Sequence, residues 1–475
     1  MTDAQPPFRK VLIANRGEIA CRVVRTCRRL GVATVAVCSD IDAAARHVEL
    51  ADESVVIGGA RAADSYLNIE AVIRAAKETG SEAIHPGYGF LSENAGFAEA
   101  CAAAGIRFIG PSADAIRAMS YKGAARRIAQ SCGVPLLPGY DGEEQDDALL
   151  LAEAGRIGWP VMIKAVAGGG GKGMRRVDDV AQFSRALAAV RREAMSAFGN
   201  DKVMIEKFLV EPRHIEIQIL GDGKGRTLAL FERDCSIQRK HQKVIEETPA
   251  PGVPEAMRRQ MMASAVRLAD NVGYEGAGTV EFVVDASGEL SEDRYYFLEM
   301  NTRLQVEHPV TEMVTGLDLV EWQLRIAAGE PLTMTQDDVT SRGHAIEVRI
   351  CAEDPDRMFL PSPGELTVFD LGKEAQGVRI ETGVRPGDAV TPYYDSLLAK
   401  LVVHAPDRAA AIALMSRRLA GIEIAGIKTN LGLLQRLCKH DQFVAGNVAT
   451  TFIERFSADL LTTPSRAAQG HSERV

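Results

Sequence analysis

Four consecutive glycines, residues 168–171, are followed by Lys172 and Gly173 and are the first residues whose pattern suggests chemistry. Each glycine adds entropy to the unfolded chain and frees the backbone to approach an anion, so packing does not explain the run. It is not a Walker P-loop, because Val166 stands where that motif has its first glycine. A stretch of strand character carrying Lys164 precedes it. The pattern predicts a lid that covers phosphate groups, with a mobile linker as the alternative.

A second segment alternates polar and apolar residues with period two. His214, Glu216 and Gln218 share one face of the predicted strand, and three isoleucines share the other. The apolar face is predicted to join the core, and the polar face to meet either solvent or a binding site. From its position alone, His214 is expected at the surface.

Carboxylates recur in two further strand-like segments. The alternation predicts Phe297, Glu299, Asn301 and Arg303 on one face, opposite Tyr296, Leu298 and Met300. Glu281 lies within an apolar strand of its own. Buried carboxylates are costly unless a cation or an arginine pairs with them. Oxygen ligands without His or Cys suit Mg²⁺ that bridges nucleotide phosphates, so these residues predict such a site.

The segment from residue 232 to residue 243 is dense in cations and ends at Lys243. It could be a solvated charged loop, because Glu246 and Glu247 partly balance its charge. The loop 301–309, however, offers a matching pocket for an anion and contains a potential base, Glu307. We therefore expect the two segments to form an anion site.

Composition excludes several function classes. The chain has 55 Lys and Arg against 64 Asp and Glu, a net charge of −9 and a pI of about 5.6, so no nucleic-acid binding is expected. The eight cysteines show no CxxC pair or metal-ligand spacing and are expected to be reduced thiols of a cytoplasmic protein. No export signal is visible and no apolar run reaches 18 residues, so no membrane association is expected.

The elements that must position these residues begin with a strand, turn, helix and strand. An apolar run at residues 10–14 ends in the turn 15–18, helical spacing continues to Gly31, and a second apolar run follows. This order indicates a βαβ unit in a parallel sheet. The first turn lacks GxGxxG, so an ordinary dinucleotide-binding domain is not expected. From Met204 onward, period-two alternation predicts a mainly antiparallel sheet.

The longer motifs closely resemble those of biotin carboxylases. They are HPGYGFLSEN from His85, KAVAGGGGKGM from Lys164, EPRHIEIQ from Glu211, ERDCSIQRKHQKVIEETPAPG from Glu232, FLEMNTRLQVEHPVTEM from Phe297, and the stretch 344–355. The resemblance covers residues 8 to 455, in the family's order. It implies an ATP-grasp fold of mixed α/β and α+β class, in which three lobes surround one site.

The resemblance also implies domain limits. They are an N-terminal Rossmann-like domain at 1–110, a helical connector at 111–137, a small mobile lid at 138–203, a C-terminal, mainly antiparallel domain at 204–460, and a flexible tail at 461–475.

Site residues follow by matching position to position. ATP contacts match Lys122, Lys164, Gly169, Gly170, Gly171, Met174, His214, Gln238 and His241, with Glu206, Lys207 and Leu209 on the adenine side. The Mg²⁺ (or Mn²⁺) ligands match Glu281 and Glu299, with Asn301 nearby. The bicarbonate and biotin pocket matches Lys243, Arg303, Gln305, Val306 and Glu307, with Tyr88 beside biotin and Arg349 at its ureido oxygen.

The implied activity is ATP-dependent carboxylation of biotin by bicarbonate through carboxyphosphate. Glu307 is the implied base, Lys243 and Arg303 hold the anion, and Arg349 stabilises charge on biotin. The chain contains no Ala-Met-Lys-Met string, so biotin is expected on a separate carrier protein. A carboxyltransferase is expected on other subunits, acetyl-CoA carboxylase is the expected whole enzyme, and the family implies a homodimer.

Two alternatives remain open at this point. Another ATP-grasp ligase would share the lid and the Mg²⁺ site but would lack the pocket from Arg303 to Glu307 and would lack Arg349. A nucleotide-binding regulatory subunit without turnover is the other alternative, and intact Lys243, Glu299 and Glu307 argue against it. The final acceptor of the carboxyl group, whether an acyl-CoA, pyruvate or urea, is not readable from this chain.

Overall fold

The N-terminal part of the chain forms a five-stranded parallel sheet. The computed structural model describes residues 6–166, 173–240 and 242–461, except for the side chains of residues 197 and 198. The elements are β1 (Lys10–Ile13), α1 (Gly17–Arg29), β2 (Ala33–Ser39), α2 (Arg46–Leu50), β3 (Glu53–Gly58), α3 (Ile69–Thr79), β4 (Ala83–His85), α4 (Ala95–Ala103) and β5 (Arg107–Phe108). The strand order is β3-β2-β1-β4-β5. The predicted βαβ unit and parallel sheet are confirmed.

Two helices lead from this sheet to a smaller lobe. They are α5 (Ala113–Ser120) and α6 (Lys122–Ser131), in the stretch where a helical connector is predicted. Ser112 begins α5 by accepting a hydrogen bond from the amide of Ala115.

A four-stranded antiparallel sheet forms the smaller lobe. Its elements are β6 (Gly139–Tyr140), α7 (Asp147–Ile157), β7 (Val161–Ala165), β8 (Met174–Val177), α8 (Val180–Phe198) and β9 (Val203–Lys207), with strand order β6-β9-β7-β8. Ile163, Val177, Phe183 and Ile205 belong to a separate apolar core. Since β9 runs to Lys207, this sheet extends four residues beyond the predicted lid limit at residue 203.

The C-terminal part of the chain is built around the largest sheet, which has eight antiparallel strands, and also contains three two-stranded sheets. Its elements are β10 (Pro212–Asp222), β11 (Thr227–Arg239), β12 (Gln242–Thr248), α9 (Glu255–Asn271), β13 (Glu275–Asp285), β14 (Tyr295–Asn301), α10 (His308–Thr315), α11 (Leu319–Ala327) and β15 (His344–Cys351). The remainder are β16 (Glu353–Asp354), β17 (Leu360–Pro361), β18 (Gly364–Glu365), β19 (Val368–Asp370), β20 (Val378–Thr382), β21 (Ala389–Val390), β22 (Leu397–Ala405), α12 (Arg408–Ala420), β23 (Glu423–Ala425), α13 (Leu431–Leu437), α14 (Asp441–Val444), α15 (Phe452–Arg455) and α16 (Ser457–Leu460). The order β14-β13-β10-β11-β12-β15-β22-β20 confirms the predicted antiparallel sheet. The predicted tail lies outside the described residues from residue 462 onward.

One face of the eight-stranded sheet is apolar. Ile215 and Ile217 pack into a core with α9, and Ile346 and Val348 pack into another with α12. Alternation along the strands therefore turns the intervening polar residues to the opposite face, where α10 packs against β11, β12, β15 and β22. That face carries the candidate site.

The alternation fails at one place in β14. Glu281 pairs with Glu299, but Phe282 pairs with Phe297, so Leu298 is an extra residue on β14. This β-bulge turns Phe297 into the apolar core beside Met300. The prediction that Phe297 shares a face with Glu299 and Asn301 is therefore wrong.

Among the described residues, no helix combines the length and hydropathy that a membrane span needs. All eight cysteines are free thiols, and only Cys132 among them is partly accessible to solvent.

Candidate active site

Lys243, near the start of β12, lies at the centre of the polar face. Its Nζ is 2.5 Å from Glu307 Oε1, 2.6 Å from Glu216 Oε2 and 2.9 Å from Glu281 Oε1. Burial alone would lower the pKa of Lys243, but the three carboxylates raise it well above its usual value. The ammonium group therefore stays charged. The alternative of a solvated loop is wrong, because this segment forms buried strands.

Glu307 is the N-cap residue of α10 and has no solvent exposure. One carboxylate oxygen contacts Lys243, and the other accepts a hydrogen bond from Arg349 Nη2 at 2.8 Å. Burial opposes ionisation, yet the charges of Lys243 and Arg349 hold the pKa of Glu307 well below its usual range. Glu307 is therefore a carboxylate at neutral pH, which is the form that a base requires.

Arg349 projects from β15 away from Ile346, Val348 and Ile350, as predicted. Besides its bond to Glu307, its Nε donates to Glu246 Oε1 at 2.6 Å. The described side chains thus pair Arg349 with carboxylates of this polar face.

Arg303 lies beyond the end of β14 and makes three side-chain contacts. Its Nη1 donates to Gln305 Oε1 at 2.6 Å, its Nη2 to Asn301 Oδ1 at 3.1 Å and its Nε to Glu93 Oε2 at 2.9 Å. Gln305 in turn donates to Glu281 Oε1 at 3.0 Å. The segment 301–307 is therefore bound to the strands that carry Glu281 and Lys243.

Tyr88 and Val306 lie on either side of a buried ion pair. The Tyr88 hydroxyl donates to Glu18, and Lys400 Nζ donates to the Val306 carbonyl at 2.7 Å. Lys400 Nζ is also 3.0 Å from Glu18 Oε1. This chain of contacts brings the two predicted biotin neighbours to one part of the site.

The predicted metal ligands are adjacent. Glu281 and Glu299 are cross-strand partners, and Asn301 Nδ2 donates to Glu281 Oε1 at 2.8 Å. Burial and the negative charge of Glu281 raise the pKa of Glu299. These two partly buried carboxylates repel each other. They suit binding of a hard divalent cation such as Mg²⁺, whose charge would neutralise both.

His214 faces the same carboxylates, with its Nε2 3.0 Å from Glu281 Oε2. Burial alone would lower the pKa of His214, but Glu281 raises it above its usual value. The expectation from strand position alone, that His214 lies at the surface, is wrong. Its side chain is buried beside Glu216 and Glu281 on the polar face of the sheet.

The predicted nucleotide contacts are divided between strands of the smaller lobe and strands of the large sheet. Lys164 on β7 forms an ion pair with Glu206 on β9, and Arg126 Nη1 is 2.9 Å from the same carboxylate. Lys207 Nζ donates to the Trp159 carbonyl at 2.9 Å. The ammonium group of Lys207 therefore links β9 to the residues that precede β7.

The remaining predicted contacts are less tied together. Leu209 is buried, Met174 and Lys122 are exposed, and Gln238 Nε2 donates to the Cys235 carbonyl at 3.4 Å. Gly169, Gly170, Gly171 and His241 lie outside the described residues.

Several residues of this face were missed from the sequence. Arg233 is fully buried and its guanidinium donates to Glu216, Gln218, Thr279 and Thr311. Glu246, interpreted only as balancing charge, contacts Arg349, and Glu18 and Lys400 pair across the site. In the sequence, Glu216 alone could have indicated that charged partners lie on this face, because it stands between His214 and Gln218 on the predicted polar face.

Three family models match the chain. The model described as "Biotin carboxylase, N-terminal domain" matches residues 7–116. "Carbamoyl-phosphate synthase L chain, ATP binding domain" matches residues 121–335, and "Biotin carboxylase C-terminal domain" matches residues 347–455.

Curated relatives fall into two groups by length. The rat mitochondrial methylcrotonoyl-CoA carboxylase subunit alpha is 53% identical over 460 residues, which cover 97% of this chain but only 64% of that protein. This chain therefore spans less than two thirds of that relative. Biotin carboxylase from a Nostoc species is 52% identical over 452 residues, covering 95% of this chain and 99% of the relative.

Solved structures agree with these matches. A biotin carboxylase complex from Campylobacter jejuni, titled with "beta-gamma-ATP", is 45% identical with a TM-score of 0.86, covering 94% of this chain and 99% of that one. The biotin carboxylase domain dimer of Hydrogenobacter thermophilus 2-oxoglutarate carboxylase, titled with MgADP, ADP and bicarbonate, is 45% identical with a TM-score of 0.86, over 95% and 98% of the two chains. On these matches, the chain belongs to the biotin carboxylase family of ATP-grasp proteins.

Proposed function

We propose that this chain carboxylates biotin with bicarbonate and ATP, giving ADP, phosphate and carboxybiotin by way of carboxyphosphate. The observation that carries the proposal is Glu307, an ionised and fully buried carboxylate held between Lys243 and Arg349. Family membership supports the same reaction, because the Nostoc relative bears the name biotin carboxylase.

The first half of the reaction needs a base and a cationic pocket. Bicarbonate is a poor nucleophile until it loses its proton, and Glu307 is the carboxylate beside Lys243 that can accept it. A low pKa keeps Glu307 ionised but makes it a weak base. Once the bicarbonate anion shares Lys243 and Arg303, less positive charge remains for Glu307, and its pKa rises towards that of a useful base.

Phosphoryl transfer then joins a bicarbonate oxygen to the γ-phosphorus, and ADP leaves. Negative charge develops on the oxygens of the transferred phosphoryl group, and the proposed phosphate contacts stabilise it. These contacts are Lys122, Lys164, Gly169, Gly170, Gly171, Met174, His214, Gln238 and His241. Glu206, Lys207 and Leu209 are proposed at the adenine. Mg²⁺ or Mn²⁺ bound by Glu281 and Glu299, with Asn301 nearby, would neutralise the phosphate charge. The relatives whose titles name MgADP or beta-gamma-ATP support nucleotide binding by this chain.

The second half of the reaction takes place on biotin. The C–O bond of carboxyphosphate breaks to give CO₂ and phosphate, the phosphate takes the N1 proton of biotin, and N1 attacks CO₂. Arg349 stabilises the negative charge on the ureido oxygen with a donor other than the Nε and Nη2 groups that contact Glu246 and Glu307. Gln305, Val306 and Tyr88 are the proposed walls of the biotin pocket.

Partners and the final acceptor belong to the same proposal. We propose a biotin carboxyl carrier protein and carboxyltransferase subunits as partners, and a homodimer, which the dimer named for the Hydrogenobacter domain supports. Acetyl-CoA carboxylase remains the first proposal for the whole enzyme. The relatives named methylcrotonoyl-CoA carboxylase support 3-methylcrotonyl-CoA as a second candidate acceptor. We also propose a cytoplasmic location, whereas the methylcrotonoyl-CoA carboxylase relatives are named as mitochondrial.

Steady-state ADP release by the purified chain tests the proposal. With Mg-ATP present, release should require bicarbonate and should accelerate when free biotin is added. A chain that needs a different carboxylate would be another kind of ATP-grasp ligase. A chain that binds Mg-ATP without any turnover would be a regulatory subunit, and either result would contradict the proposal.

A further inference from the structure

Two turns of the N-terminal sheet meet beside the site. β1 and β4 are neighbouring parallel strands, so residues 15–18, which form the turn after β1 and the start of α1, lie against the turn 86–88 after β4. Asn15 Nδ2 donates to the Pro86 carbonyl at 2.8 Å and to the Tyr88 carbonyl at 2.7 Å. The backbone of Tyr88 is therefore fixed by Asn15.

The side chain of Tyr88 is also held by residues 15–18. Its hydroxyl donates to Glu18, whose side chain is almost fully buried. Burial and the charge of Glu18 raise the pKa of Tyr88 well above its usual value, so the hydroxyl keeps its proton and remains a donor. Tyr88 is thus held at both ends by residues 15–18.

Lys400 joins this turn to the opposite wall of the site. It lies on β22, has no solvent exposure, and its Nζ is 3.0 Å from Glu18 Oε1 and 2.7 Å from the Val306 carbonyl oxygen. Val306 immediately precedes Glu307. One buried ammonium group therefore connects the N-terminal sheet, the large sheet and the segment 301–307.

The surrounding backbone leaves this connection little freedom. A Cβ atom at Gly383, which follows β20, would lie 2.3 Å from the carbonyl carbon of Gly17. The turn bearing Glu18 therefore packs directly against the C-terminal part of the chain. A buried lysine without its carboxylate partner would be costly, which makes the Glu18–Lys400 pair interdependent.

We propose that Glu18 and Lys400 are positioning residues for biotin, because together they fix the separation between Tyr88 and the Val306 carbonyl. The inference rests on the proposed function, since it takes Tyr88 and Val306 as the walls of the biotin pocket. Neither residue touches the reacting atoms. Their effect should therefore fall on the use of biotin more than on the cleavage of ATP.

The alternative is an ion pair that only joins α1 to the large sheet. Loss of such a pair would lower thermal stability and reduce every activity by the same factor. A positioning role instead predicts a selective loss of kcat/KM for biotin, so the ratio of the biotin-dependent and biotin-independent rates separates the two.

Glu18→Gln, Lys400→Met and the double variant test the inference in the full chain. For each, ADP release is measured with free biotin varied and with biotin omitted, and the melting temperature is recorded. Each single change should lower kcat/KM for biotin about tenfold or more, as loss of a hydrogen bond to a charged group does. Biotin-independent cleavage should fall much less. The double variant should resemble the worse single variant, because the two residues act together.

Lys10→Met is the matched control, because Lys10 also pairs with a glutamate, Glu53, but at the beginning of β1, the opposite end of that strand from residues 15–18. Both of its rates should stay within about twofold of wild type, as for an exposed pair. Equal losses in the two rates, an unchanged kcat/KM for biotin, or losses that multiply in the double variant would overturn the inference. If Lys400→Met fails to fold, Glu18→Gln decides by the same criteria. Wild-type protein that biotin does not stimulate would remove the proposed function, and this role with it.

Discussion

Lys243 Nζ lies 2.5 Å from Glu307 Oε1, and both side chains are almost fully buried. The lysine comes from the start of β12 and the glutamate from the N-terminus of α10, so the contact depends on packing of the helix onto the sheet. The pair combines an anion-binding cation with an ionised carboxylate.

Replacing Glu307 by Gln should nearly abolish bicarbonate-dependent ATP cleavage, because the change keeps the shape of the side chain and removes the base. Loss of a general base lowers a rate by about 10² to 10⁴. Binding of Mg-ATP, measured by calorimetry, should stay close to wild type. Exposed Glu365 supplies the control, and Glu365→Gln should leave the rate unchanged. Wild-type turnover in Glu307→Gln would remove the role given to this residue.

Arg349→Ala should slow biotin carboxylation by about 10² to 10³, the usual effect of losing one preorganised donor to a developing oxyanion. Cleavage of ATP without biotin should also fall, because Arg349 contacts Glu307 Oε2 at 2.8 Å, but by a smaller factor. Both rates are to be measured on one preparation. Equal losses would show that Arg349 acts only through Glu307.

Arg233→Met should destabilise the fold by about 3–5 kcal/mol, because it leaves the buried Glu216 without one of its two cationic partners. Denaturant unfolding measures the loss. The control is Arg259→Met, since Arg259 is largely exposed and its ion pair should be worth no more than about 1 kcal/mol. Comparable stabilities of the two variants would contradict the stabilising role given to the buried Arg233–Glu216 pair.

Glu299→Gln should raise the Mg²⁺ concentration needed for half-maximal ATP cleavage. The expected increase is at least about 10- to 100-fold, the range found even for residues that only support a metal ligand. Glu289→Gln, at an exposed position between β13 and β14, is the matched control. An unchanged Mg²⁺ requirement in Glu299→Gln would argue against a metal bound between Glu281 and Glu299.

Local sequence patterns predicted the strands well where the alternation is unbroken. Ile215 and Ile217 face the core as expected, and Glu216 faces the site. In β14 the pattern misplaced Phe297, because the extra residue at Leu298 changes the face of every residue before it. A bulge of this kind leaves no mark in the order of polar and apolar residues.

The long-range ion pairs could not be predicted from local patterns. Glu246 meets Arg349 only because β12 lies beside β15, about 100 residues later in the chain, with Glu246 opposite Glu347. Likewise, Glu18 meets Lys400 because helix α1 packs against the large sheet. Such contacts depend on strand order and register, which are settled by the whole fold.

The transfer of label from radiolabelled bicarbonate to free biotin by the purified chain tests the central claim most directly. With Mg-ATP present, we expect acid-labile labelled carboxybiotin to form in proportion to the ADP released in excess of the biotin-independent rate. Glu307→Gln should abolish both. Release of ADP that biotin accelerates without any label reaching biotin would contradict carboxyl transfer by this site.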